Sequence, residues 1–173
     1  RITDPLIAGI EIAGTIAAVG TGVSNLQVSD RVAVNPQVAC GRCAACHDGR
    51  APFCSAIQWR GSSEYFPPIP GGFRQMMICS AHEAVPTGIE MAPERAAFAS
   101  PLAHALHAMR IAGSIAGTTA AIVGAGPTGL ITLLAARYCG IRRLIVFETE
   151  PRALALAARV GADELVNLAD IKT

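Results

Sequence analysis

Residues 118–140 read TTAAIVGAGPTGLITLLAARYCG, and this stretch decides the fold of its half of the chain. Threonines, alanines, an isoleucine and a valine open it with the composition of a buried strand. Six residues of turn follow, Gly124-Ala125-Gly126-Pro127-Thr128-Gly129, and then apolar residues at helical spacing. The alternation continues downstream with RLIVFE (143–148) as strand, PRALALAARVGA (151–162) as helix and ELVNL (164–168) as the start of another strand. Strands alternating with helices imply βαβ units on a parallel sheet.

The turn carries chemistry of its own. A G-x-G-x-x-G alone is a weak signal, but here a strand precedes it, a helix follows it, and Glu148 ends the next strand 24 residues after Gly124. In such a turn the first glycine, Gly124, permits the tight bend. Gly126 lets backbone approach a pyrophosphate, and Gly129 lets helix and strand pack closely. The helix N-terminus, at Pro127 and Thr128, favours the negative charge of phosphates. Glu148 is placed to accept hydrogen bonds from ribose hydroxyls and to repel a 2′-phosphate, so NAD is expected over NADP. The bland alternative is a glycine turn beside a solvated acid.

Upstream, CGRCAACHDGRAPFC (40–54) sets four thiols within fifteen residues, at Cys40, Cys43, Cys46 and Cys54. Thiolates so spaced on a loop converge on one tetrahedral zinc with no open position. An iron–sulfur cluster is the alternative, although the ferredoxin run C-x2-C-x2-C-x3-C-P differs from the seven residues that precede Cys54. Disulfides fit poorly, because pairs this close strain the bridge. Residues 36–70 contain five prolines (Pro36, Pro52, Pro67, Pro68 and Pro70), so the segment is expected to be mostly loop, stapled by the metal. His47 reads as a solvated loop residue, and Cys79 and Cys139 as buried ones.

Residues 1 to about 90 are expected to be β-rich, with strand-like runs at 11–19, 31–34 and 73–79, and one helix is expected over 93–112. The chain has 173 residues, of which 51% are apolar, and a net charge of +1, which argues against nucleic acid or an anionic membrane surface as partner. Residues 111–136 carry no charge, yet five glycines and a proline interrupt them, which disfavours a membrane span. Unpaired cysteines and no secretory signal suggest a reducing cytoplasm. Strand-like sequence begins almost at Arg1, so the chain reads as cut at its N-terminus.

A four-cysteine lobe followed by this glycine turn resembles the zinc-dependent medium-chain alcohol and polyol dehydrogenases. Within that family VNPQVACGRCAACHDGR, GGFR and AFASPLAHALHA are similar to the L-idonate 5-dehydrogenase and sorbitol dehydrogenase branch. The resemblance implies an α/β chain with a β-rich N-terminal part: an incomplete GroES-like barrel over residues 1–112, its zinc lobe at 36–60, and a partial Rossmann parallel sheet over 113–173. It also implies NAD-linked oxidation of a secondary alcohol on a polyol or sugar acid, a structural zinc, a second and catalytic zinc, and a homo-oligomer whose usual interface falls outside this sequence.

Three departures bear on that second zinc. The family's Gly-His-Glu reads Gly9-Ile10-Glu11, and its Glu-Pro-Leu reads Ser100-Pro101-Leu102. Its first cysteine ligand belongs upstream of Arg1. Glu11 is retained, and His104 lies four residues after Ser100, but together they make a poor substitute metal site. No catalytic zinc set is therefore intact. The basic residue that the family often places five positions beyond the ribose acid reads Ala153, with Arg152 one position earlier.

Overall fold

The structure is a computed structural model that describes residues 5–64 and 66–171. Residues 1–99 and residues 100–173 form two compact units.

The first unit is built on an antiparallel sheet. β1 (Ile12–Thr15) pairs with β2 (Arg31–Val34), setting Ile12 opposite Val34 and Thr15 opposite Arg31. The next two strands, β3 (Gln37–Val38) and β4 (Gln58–Trp59), are short and pair only with each other. β5 (Ala84–Pro86) closes the other side of β2, with Pro86 at an edge where its missing N–H costs no ladder bond. Ile12, Leu26, Val32, Val34 and Ala84 make a small core, all under 9% exposed.

The run 73–79 is not a strand, which corrects the expectation. Its side chains alternate as a strand's would: Met77 and Cys79 pack on the core, while Met76 and Ile78 are exposed. Gly71, Gly72 and Phe73 donate backbone hydrogen bonds to Ile7, Gly9 and Ala8. Beyond Phe73 the described residues of the run join no sheet, so alternation persists without pairing.

Between β3 and β4 lies the cysteine lobe, with helix α1 (Ala44–His47) and a single 3₁₀ turn at Ala51–Phe53. The helix expected over 93–112 is two helices, α2 (Pro93–Ala96) and α3 (Ala99–Ala112). Pro101 explains the break. A helix running through it would need an N–H at 101 and would bring the ring against the carbonyl of Ala97, so the chain restarts and Pro101 sits in the first turn. Phe98 and Leu102 are 57% and 37% exposed, whereas Met109 packs inward.

The second unit follows the sequence closely. β6 (Thr119–Val123), α4 (Pro127–Tyr138), β7 (Arg143–Glu148), α5 (Pro151–Val160) and β8 (Glu164–Asn167) alternate, and the strands form a parallel sheet in the order β6-β7-β8. Ile122, Leu133, Ala136, Leu144, Val146 and Ala157 fill its core, five of them at 1% exposure or less. Arg137 donates to the carbonyls of Ile141, Arg142 and Gly161 and to the carboxylate of Asp163, tying the end of α4 to the loop after α5. No helix among the described residues is long and apolar enough to cross a membrane.

Candidate functional site

Three places carry chemistry. The first is the turn between β6 and α4. Gly124 adopts φ +95°, which favours glycine, and its N–H donates to the Phe147 carbonyl at 2.7 Å. A Cβ on Gly129 would run into the Gly124 carbonyl oxygen, so the third glycine is required by packing. Gly126 is different. Its φ of −68° suits any residue, and a Cβ there would meet no atom within 4 Å. The fold itself does not demand glycine at 126; a ligand brought against the backbone would. Gly126, Pro127 and Thr128 are solvent-exposed, and Pro127 opens α4, where an absent N–H costs nothing.

Glu148 ends β7 beside this turn. One carboxylate oxygen accepts the Ala125 N–H at 2.7 Å; the other accepts the N–H groups of Thr149 (2.7 Å) and Glu150 (3.2 Å) and the Thr149 hydroxyl (3.1 Å). These donors, that of Ala125 first, hold its pKa down to about 2. The side chain is therefore an anion at any physiological pH. Arg152, at the start of α5, has its own backbone N–H capped by Glu150.

The second place is the lobe. The four sulfurs of Cys40, Cys43, Cys46 and Cys54 all lie within 4.8 Å of one another. A tetrahedral zinc with sulfurs at ~2.3 Å needs them about 3.8 Å apart, so small shifts of the side chains suffice for one ion. Helix α1 begins right after Cys43 and carries Cys46 one turn on, and the bend after the 3₁₀ turn returns Cys54, which is 5% exposed. The Cys40 N–H points at the Cys54 sulfur at 3.2 Å. Backbone N–H groups, that of Cys46 first, lower the Cys43 thiol to about 6, while burial pushes the Cys46 thiol up to about 11. Cys79 and Cys139 lie apart and are half-buried rather than buried; His47 is exposed on α1.

The third place is an open cavity of about 380 Å³ in the first unit, lined by Ile10, Trp59, Gly61, Ser62, Ser63 and Glu64. Ile10 is 38% exposed and offers no donor atom, and Glu11 is exposed. The floor is close-packed backbone: a Cβ on Gly61 would lie 2.5 Å from the Gly9 carbonyl oxygen. Among the described residues, the four cysteines form the group that could hold a metal, and nothing comparable surrounds Ile10. Ser100 belongs to the second unit, where its carbonyl oxygen is 2.9 Å from His104 Nδ1, an internal contact of α3.

Sequence reasoning missed a buried ion pair. Glu83, 2% exposed, receives two hydrogen bonds from the Arg60 guanidinium, at 2.9 and 3.0 Å, and one from the Ser80 N–H. It anchors the segment that follows Trp59 to the small β core. No spacing in the sequence links residue 60 to residue 83. The serines and glutamate of the cavity were equally silent, since nothing distinguishes them from other loop residues.

Residues 1–89 match the alcohol dehydrogenase GroES-like domain. The chain belongs to that family. Among similar family members, the sorbitol dehydrogenase of Bacillus subtilis (strain 168) is 37% identical over 167 residues, covering 96% of this chain and 46% of its own length. The L-idonate 5-dehydrogenase of Vitis vinifera is 33% identical, covering 96% and 44%. The crystal structure of L-idonate 5-dehydrogenase from Escherichia coli superposes with a TM-score of 0.88 at 32% identity, over 99% of this chain and 49% of that one. A Sinorhizobium meliloti structure described as a zinc-binding dehydrogenase bound to NADP gives 0.88 at 30% identity, over 98% and 48%. The chain thus spans about half the length of these relatives. Its fold is part of a GroES-like barrel together with part of a Rossmann parallel sheet.

Proposed function

We propose that this chain carries the zinc lobe and the first dinucleotide-binding half of an NAD-linked oxidoreductase acting on the CH–OH group of a polyol or sugar acid. The observation that carries the reading is Gly126: an exposed glycine with open space at its Cβ, at a helix N-terminus, beside an ionised Glu148. Gly124, Gly126, Pro127, Thr128 and Gly129 would cradle the pyrophosphate, and Glu148 would accept from the ribose. Bound there, NAD would supply the hydride acceptor. Cys40, Cys43, Cys46 and Cys54 would hold one zinc as a staple, without an open position for substrate. Residues 1–112 would then be the GroES-like part, with its lobe at 36–60, and 113–173 the Rossmann part, in a cytoplasmic protein.

The residues present do not fit the family's catalytic zinc. Ile10 cannot ligate, Ser100 is a weak hydroxyl donor, and a catalytic zinc needs three protein ligands. We therefore assign no catalytic step to a second metal, and infer that polyol oxidation by this chain is impaired by at least ~10³-fold. That is the expectation for losing a Lewis acid that contributes several kcal/mol at tenfold per 1.36 kcal/mol. Ile10 favours a second reading for the same reason: a zinc- and nucleotide-binding remnant with a structural or interaction role.

The test combines a metal count with titration by NAD and NADP. One zinc per chain, and NAD bound more tightly than NADP, are expected; iron with visible charge-transfer bands, or a preference for NADP, would overturn the corresponding assignment. To separate the two readings, Ile10→His with Ser100→Glu is placed in a chain extended by family termini. A second zinc together with new dehydrogenase activity supports impairment by ligand loss, whereas robust activity in the unaltered chain refutes it.

A further inference from the structure

The peptide unit joining Gly124 to Ala125 is held at both ends. Its carbonyl oxygen lies against Gly129, where even a methyl group would collide. Its N–H, on an Ala125 that is 3% exposed, donates to Glu148 at 2.7 Å. Glu148 is itself immobilised, because its other oxygen takes the N–H groups of Thr149 and Glu150 and the Thr149 hydroxyl. The residue that ends β7 thus grips the turn that ends β6, before any ligand arrives.

We infer that Glu148 is a positioning residue for the phosphate cradle, and not only an acceptor for ribose hydroxyls. This rests on the dinucleotide reading above and deepens it. A turn containing three glycines has many accessible conformations, and its N–H groups serve a pyrophosphate only in one of them. A charge-assisted hydrogen bond to the 124–125 peptide restricts that ensemble in the free protein, so less conformational entropy is lost on binding. Replacing Glu148 should therefore weaken ligands that never touch it.

The experiment titrates the full chain, and its Glu148→Gln and Glu148→Asp variants, with ADP, 2′-deoxy-ADP and inorganic pyrophosphate. Amide hydrogen exchange at Ala125 is followed in the ligand-free proteins. For Glu148→Gln we expect all three ligands to weaken, pyrophosphate by on the order of tenfold for a lost bond to a charged group, and the difference between ADP and 2′-deoxy-ADP to shrink. Exchange at Ala125 should quicken while Leu144, in the core, keeps its protection. Glu148→Asp, with the charge kept on a shorter arm, should fall between. Pyrophosphate binding that is unchanged or strengthened in Glu148→Gln overturns the inference while leaving a ribose role intact, as does unaltered exchange at Ala125 in either variant. If the unaltered chain binds none of the three ligands, the dinucleotide reading itself fails.

Discussion

The cysteine lobe and the glycine turn are both short motifs, yet they reach their shapes by opposite means. The turn sits on a core: Leu133, Leu144, Val146 and Ala157 beneath it are almost wholly buried, and Ala125 itself packs into them. The lobe has no such floor. Neither α1 nor its 3₁₀ turn buries a residue, Cys54 is the buried member of the ligand set, and the Asp48–Arg50 ion pair is more than half exposed on both sides and contributes little. Packing orders the turn and leaves it ready for a ligand. The lobe lacks that packing, so its order is expected to come from an ion shared by the four thiols.

The largest expected effect breaks this contrast directly. Stripping the metal with a chelator, or replacing Cys46 by Ser, should abolish amide protection across residues 40–54 and leave that of β6, β7 and α4 in place. A structural zinc contributes ~10–16 kcal/mol in small metal-folded peptides, which is as large as a whole domain's stability. A lobe that stays protected after chelation would mean that packing orders it after all.

On the turn side, Gly129→Ala should destabilise the second unit by about 1–3 kcal/mol or more, read from hydrogen exchange at Leu144 and Val146, because the added methyl displaces the Gly124 carbonyl. The lobe's metal content should not change. Gly126→Val sharpens the same point from the other direction. With open space and a permissive φ, it should alter stability by no more than ~0.5 kcal/mol and yet remove adenine-nucleotide binding. Loss of stability there, or binding that survives, would contradict the assignment of Gly126 to a ligand.

Acid should separate the two regions by the smallest margin. Glu148 is held at about 2 against an ordinary 4.5 by backbone donors, and the hydrogen bond from Arg137 also holds Asp163 below its usual 3.8. Both are lowered in the folded state, so their stabilisation is complete above those ordinary values and is lost as pH falls below them, for Glu148 as pH falls from about 4.5 toward 2. Thiolates take up protons, and release metal, at higher pH than carboxylates do. A pH titration followed by exchange or near-ultraviolet signals should show the lobe losing order first and the turn second. Simultaneous loss would indicate one cooperative structure.

What was legible in the sequence was local. The four thiols are brought together by one short helix and one bend, and the glycine turn by a strand and a helix that are contiguous with it, so spacing alone carried both. The alternation of β6 through β8 was readable for the same reason, since each βαβ crossover joins neighbours in the chain. Family resemblance supplied the reading of Ile10 and Ser100 as replaced ligand positions, which no periodicity could supply. The remainder depended on residues distant in sequence. Whether 73–79 forms a strand depends on a partner backbone that alternation does not report. The grip of Glu148 on Ala125 and the burial of Glu83 against Arg60 join positions 23 residues apart in each case. The cavity around Ile10 exists because the 58–64 segment folds over residue 10. Sequence by itself determined the motifs whose geometry closes within a few residues. Tertiary structure alone decided which polar groups, brought together from afar, must satisfy one another once water is removed.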